Sequence, residues 1–165
     1  MKKLYYFILI IITILYIVGC GSFQSLSDND VIDFVSSNLE SRHRFLTKLN
    51  QDYENGIITK DDFYKEELSI YKRERKTYTN KLMNSIKDKE LKSTINKIII
   101  GLDYQIKSNE SAQNGDLSTT VQYIEESSKV SYPAIINLQN KYNANFDKSY
   151  INNIEKSLET FDEYK

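Results

Sequence analysis

Cys20 is the only cysteine in the 165-residue chain and His43 the only histidine, so thiol and imidazole chemistry have one candidate each. A lone thiol has no intramolecular disulfide partner. A lone histidine without a second histidine or a nearby cysteine cannot complete a common zinc site. His43 also stands between Arg42 and Arg44, a neighbourhood that disfavours the imidazolium, and a solvent-facing place on a helix is expected of it. The acids come as adjacent pairs, Asp61 with Asp62, Glu66 with Glu67 and Glu125 with Glu126. Neighbours on a helix point about 100° apart, so such pairs do not converge as an acid and a base. No serine stands in a nucleophile-elbow motif, and residues 50–62 lack the alternating oxygen ligands of a calcium loop. These absences predict no catalytic residue, no metal site and no cofactor.

The surroundings of Cys20 carry more information. Lys2 and Lys3 precede an apolar stretch from Leu4 to Val18, and Gly19 comes immediately before the cysteine. A basic start, an apolar middle and a small residue at the end make a signal-type leader. The stretch is shorter than the roughly 20 apolar residues that a spanning helix needs. Ile17, Val18, Gly19 and Cys20 resemble the lipobox of bacterial lipoproteins. That resemblance implies cleavage between Gly19 and Cys20, residues 1–19 being a signal peptide. It also implies a diacylglyceryl anchor on the Cys20 thiol, with acyl chains such as palmitate. The chain is then expected on the extracytoplasmic face of the cell membrane.

Residues 20–27 read as a lipidated tether, small and polar apart from Phe23 and Leu26. At about 3.5 Å per residue it keeps the domain within roughly 30 Å of the bilayer. Loss of Lys2 and Lys3 with the leader leaves twenty basic residues against 23 acidic ones. With no basic block and no glycine-rich phosphate loop, nucleic acid is not an expected partner.

From residue 28 to 165 the apolar pattern is helical almost throughout, which predicts a single all-α domain. Ile32, Val35, Leu39, Arg42, Leu46, Leu49 and Tyr53 recur at steps of three and four, giving a first helix over 28–54. Ser27, Asp28 and Asp30 supply its cap and acidic first turn. Gly56 suits a left-handed stop. A second stripe runs Tyr64, Leu68, Tyr71, Arg75, Tyr78 and Leu82, and a third runs Leu91, Ile95, Ile98, Leu102 and Ile106. Whether these two helices are continuous stays open at this stage. The polar run 108–116 is expected to end the third. The fourth stripe, Leu117 to Tyr142, contains Pro133, which should kink or split it. Asp147 or Ser149 should cap a last helix bearing Ile151, Ile154, Leu158 and Phe161. Short connections between long amphipathic helices favour antiparallel neighbours, so the expected architecture is an elongated antiparallel bundle of four to five helices.

The junction between the first two helices is written in turn chemistry: Gly56 as the stop, Thr59 as the next cap, Asp62 three residues on, and Ile58 with Phe63 placed as a hydrophobic staple. Residues 49–68, through Gly56, Ile58, Thr59, Asp62, Phe63 and Leu68, resemble the SHOCT helical hairpin, with Asp62 where that family has glutamate. The resemblance implies an antiparallel hairpin, a family linked to bacterial membrane proteins, and self-association.

Two further sets of residues are candidates for function. Arg42 and Arg75 sit on the apolar stripes of consecutive helices, where they form either a polar layer or a polar cleft for an anionic group. The plainer expectation is that they reach the bundle edge and pair with acids such as Glu74 or Asp103. Tyr64, Tyr71 and Tyr78, seven residues apart, form one row that is a candidate contact face, because tyrosine is enriched among interface hot spots. The functional expectation is a membrane-anchored lipoprotein that acts through contacts with a protein partner, in an accessory or exclusion-type role, without catalysis. The alternative is a lipoprotein that binds a small ligand or an envelope component in a cleft between helices.

Overall fold

The computed structural model of the protein describes residues 26–163, with side-chain placement through residue 158. The expected signal peptide 1–19, its cleavage site at Gly19 and Cys20, and most of the expected tether lie outside the described residues. Five helices follow one another: α1 (Asp28–Glu54), α2 (Lys60–Thr77), α3 (Lys89–Gln113), α4 (Leu117–Tyr142) and α5 (Lys148–Glu163), with a π-helical turn at Tyr78–Leu82 extending α2. Among the described residues there is no strand, and the fold is an all-α bundle.

Local chemistry sets the ends. The Ser27 hydroxyl accepts the Asp30 backbone N–H at 3.2 Å while the Asp30 carboxylate accepts the Ser27 backbone N–H at 2.9 Å, a reciprocal capping box. At the other end of α1, Gly56 takes φ 67°. There the Ile57 N–H reaches the Asp52 carbonyl at 2.8 Å and the Gly56 N–H reaches the Tyr53 carbonyl at 3.0 Å, the two bonds of a Schellman ending. The same device closes α3. Gly115 lies at φ 78°, with Asp116 N–H on the Ser111 carbonyl and Gly115 N–H on the Ala112 carbonyl. Asp116 then caps α4 through the Thr119 N–H, and Asp147 caps α5 through the Ser149 N–H.

One expectation needs correction, and two junctions that the stripes left open are decided. Helices α2 and α3 are separate: Asp88 caps α3, and the Asp28 carboxylate accepts the N–H groups of Lys87 and Asp88 at 3.0 and 3.1 Å, tying that connection to the start of α1. Helix α3 ends within the polar run 108–116, as expected, but beyond the first residues of that run. It runs to Gln113, because Ser108, Asn109 and Ala112 are buried against its neighbours. Pro133 does not split α4, which continues through it. A proline removes one i→i−4 bond, and the pairing of α4 with α3 holds the helix together across that gap.

The α3–α4 pair is the most extensive contact in the molecule. A Cβ on Gly101 would stand 2.7 Å from the Cβ of Ser131, so the two backbones approach as closely as their residues allow. The Ser127 hydroxyl donates to the Gly101 carbonyl at 2.9 Å across this seam. Around it the core is apolar, with Val31, Val35 and Leu39 of α1, Leu91, Ile95 and Ile98 of α3, and Ile135 and Leu138 of α4 all essentially inaccessible.

Gly101→Ala exposes the balance of forces at the seam. Alanine gains about 1 kcal/mol of helix propensity over glycine, but overpacking costs about 1–3 kcal/mol. The substitution is expected to lower Tm, measured by circular dichroism. Thr59→Ala, which removes the cap bond from the Asp62 N–H, should cost about 1 kcal/mol.

Candidate functional site

Arg42 lies on the inward stripe of α1 between Leu39 and Leu46, and a charge there needs compensation. Its Nη1 donates to the Glu74 carboxylate of α2 at 2.8 Å, with the two side chains only 16% and 8% exposed. The other Glu74 oxygen accepts the Tyr78 phenol at 2.5 Å. Two turns towards the start of α2 the arrangement repeats. The Tyr71 phenol donates to Glu67 at 3.1 Å, and the Asn109 amide of α3 donates to Glu67 at 2.8 Å and to the Tyr64 carbonyl at 3.2 Å. Glu67, Tyr71, Glu74 and Tyr78 recur at steps of four, three and four, so acids and phenols alternate along one inward face. Each phenol bonds the carboxylate four residues before it, the helical neighbour position.

This placement corrects the reading of the tyrosine row as a contact face. Tyr71 and Tyr78 are buried, and Tyr64 alone is partly exposed, with the Lys60 ammonium 5.7 Å from its ring centre. The hydroxyls that a phenol would have turned to water instead bond Glu67 and Glu74 inside the bundle. Nor do Arg42 and Arg75 form one layer. Arg75 follows Glu74 directly and so points away from it around α2. It pairs with Asp103 of α3 at the bundle edge, where both side chains are about two-fifths exposed. Arg42 alone enters the interior.

Burial and charge act against each other here. Burial by itself lowers the Arg42 pKa, but the Glu74 carboxylate, helped by the surrounding phenols, outweighs it and holds the guanidinium charged above its usual range. Glu67 is pushed up by burial, partly offset by its bonds from Asn109 and Tyr71. Tyr150 of α5 is pushed up to about 12, mainly by burial, with Arg42 pulling the other way.

Beside Arg42 the bundle is not filled. A cleft of about 200 Å³ lies between α1 and α5, with α3 and α4 behind it. Its apolar floor includes Leu39, Ile98, Leu102, Ile135 and Ile154, and its polar lining comes from two sides, Arg42, Tyr150 and Asn153 of α1 and α5 and Gln105 and Ser131 of α3 and α4. Tyr150 stands between two rings, His43 at 5.1 Å and Phe146 at 5.7 Å between centres. His43 itself is exposed on the rim. Three serines of α4 have given their hydroxyl protons to helix carbonyls: Ser127 to Gly101, Ser128 to Ile124 and Ser131 to Ser127. They face the interior as acceptors. Among the described residues no group of three or more histidine, cysteine or acidic side chains converges on a common point, and no helix is long and apolar enough to cross a membrane.

A second surface feature was not read from the sequence. Leu117, Val121 and Ile124 are 68%, 54% and 44% exposed on one side of α4, and the stripe then runs into buried Ser128 and Ile135. Helix α5 has 16 residues against 26 in α4, so it is too short to cover the whole of its neighbour. Comparison with protein families, curated proteins and solved structures finds no match. The geometry of the chain itself carries the functional argument.

The buried pair generates one prediction. Glu74→Ala leaves Arg42 buried and uncompensated, and should cost about 3–5 kcal/mol in urea unfolding. Arg42→Met combined with Glu74→Leu removes both charges at similar volume and should cost less, about 1–3 kcal/mol, because only the buried Tyr78 phenol is then left without its acceptor. The phenols generate another. Unfolded tyrosine ionises near pH 10, whereas Tyr71, Tyr78 and Tyr150 are all raised in the fold. The neutral form is the one the fold favours, so stability is intact below pH 10 and falls as pH rises toward 12 and beyond. An alkaline absorbance titration at 295 nm should show a late group of phenols that ionises together with unfolding. A single step near pH 10 with the helices intact would contradict the burial of these rings.

Proposed function

We propose that this chain is a lipid-anchored, extracytoplasmic helical protein that acts through contacts with a protein partner rather than through catalysis. The single observation that supports the contact reading is the exposed apolar stripe Leu117, Val121 and Ile124. Three apolar residues at steps of four and three on an open helix face are the spacing by which helices meet partners. Its position fits the tether. Ser27, Asp88 and the α4–α5 connection lie at one end of the bundle, joined by the bonds of Asp28 and by the Lys141–Glu90 ion pair. Leu117 lies at the other, beside the turns at Gly56 and Gly115. The 27 residues of α1 span about 40 Å. A chain held at Cys20 therefore presents the stripe away from the membrane.

The leader and Cys20 generate the test of anchoring. Cys20→Ala should accumulate as a larger, unprocessed precursor. The wild type should remain with membranes in high salt and leave them in detergent, because acyl anchoring is hydrophobic and unscreened. Release by salt alone would refute the anchor. A photo-crosslinking residue at Val121 should then give adducts in intact cells, and one at Lys76 on α2 should not. Equal labelling at both positions would remove the stripe as the contact face.

A second reading has an observation of its own in the cleft beside Arg42: a lipoprotein that binds a small molecule between its helices. The space is below the roughly 300–1,000 Å³ of sites for drug-sized ligands, which confines that reading to small metabolites.

A further inference from the structure

The cleft has a distribution of hydrogen-bonding groups that restricts what it can hold. Arg42 spends one donor on Glu74, and a guanidinium carries five. Tyr150 is 8% exposed, its ring is fixed between His43 and Phe146, and its hydroxyl has no hydrogen-bond partner among the described residues. The α1–α5 side therefore offers donors. The opposite wall offers acceptors. Ser131 has given its proton to the Ser127 carbonyl at 2.7 Å. Gln105 has given an amide hydrogen to the Ser127 hydroxyl at 3.0 Å, which leaves its carbonyl oxygen unused. Between the walls the floor is aliphatic.

Charge narrows the class further. Arg42 and Glu74 already neutralise one another, so a ligand with net charge would add an uncompensated charge to the bundle interior. A volume of about 200 Å³ equals about seven waters at liquid density, the space of a molecule of roughly ten heavy atoms.

Resting on the small-molecule reading above, we propose that the cleft binds a compact zwitterionic amino acid with an aliphatic side chain. Its carboxylate meets Arg42 and Tyr150, its ammonium meets the Gln105 and Ser131 oxygens, and its side chain lies on Leu102, Ile135 and Ile154. The acceptor end of the ligand faces the donor wall, the donor end faces the acceptor wall, and the pair Arg42–Glu74 stays balanced.

The test is calorimetric titration of the full-length protein in detergent with three probes of one shape. Leucine is the zwitterion, 4-methylpentanoate lacks the ammonium, and leucinamide lacks the carboxylate. Leucine is expected to bind, with each of the other two weaker by about tenfold or more, the usual scale for losing a charge-assisted bond. Tyr150→Phe keeps the ring against His43 and removes the hydroxyl, and should weaken leucine severalfold with the thermal melt unchanged. Arg42→Met with Glu74→Leu, which keeps the volume of the pair, should abolish binding while the circular dichroism spectrum stays helical. Binding of 4-methylpentanoate or leucinamide as tight as that of leucine would overturn the zwitterion and leave the small-molecule reading standing. No heat from any probe at millimolar concentration would overturn both. Leucine binding unaffected by Tyr150→Phe and by the double variant would place the ligand elsewhere and overturn this site.

Discussion

A single buried cation organises the interior. Arg42 sits on the stripe that α1 uses to enter the bundle, and without a carboxylate at 2.8 Å its burial would cost several kcal/mol. The requirement fixes Glu74 inward, and Glu74 brings Tyr78 with it through the phenol bond. Once that face of α2 points to the core, Tyr71 and Glu67 follow one and two turns away, and Asn109 of α3 closes the chain of bonds. The rotation of α2 about its own axis is thus set by charge and hydrogen bonding as much as by its apolar residues. Apart from the Arg42 donors that face the cleft, the groups of this polar seam are satisfied, so it restricts how the three helices can register without leaving unpaired atoms inside.

The opposite side of the bundle follows different physics. Helices α3 and α4 meet through Gly101, Ser127 and Ser131, where small residues and a hydroxyl-to-carbonyl bond permit close backbone approach. Larger side chains, Arg42, Tyr71 and Tyr150, separate α1 and α5 from that pair. Where a tight seam faces a wide one, space remains between them, and the cleft occupies it. The same mismatch of lengths that leaves α5 shorter than α4 leaves Leu117, Val121 and Ile124 uncovered. Cleft and stripe are consecutive parts of one face of α4, the inner part closed by α1 and α5 and the outer part open.

The bundle is therefore polar along its length. One end carries the start of α1 and the acid Asp28 that holds the α2–α3 connection. The other carries two Asn-Gly turns and the exposed apolar residues. In the proposed reading the lipid is a positional device: it fixes which end meets the bilayer and leaves the far end free for contact.

Much of this was legible in residues 28–165 and some was not, for reasons of range. Helix α1 was readable to its end residues, because Ser27 with Asp30, and Asn55 with Gly56, act through bonds between residues three to five apart. The pairing of Arg42 with Glu74 was among the partners that spacing offered. The alternation of Glu67, Tyr71, Glu74 and Tyr78 at helical steps was also present, as a signal that the tyrosines bond acids on their own helix. It was outweighed by the general preference of tyrosine hydroxyls for water. The continuity of α4 through Pro133, the point within the run 108–116 at which α3 stops and the separation of α2 from α3 depended on contacts between helices far apart in sequence. The sequence by itself determined the helices and the end signals at Ser27, Gly56 and Thr59, since these rest on periodicity and neighbouring residues. Only the tertiary structure decided which tyrosines turned inward, where the interior stayed open and which apolar residues went uncovered. Those outcomes depend on how five helices of unequal length and unequal side-chain size meet in space, and no single stripe contains that information.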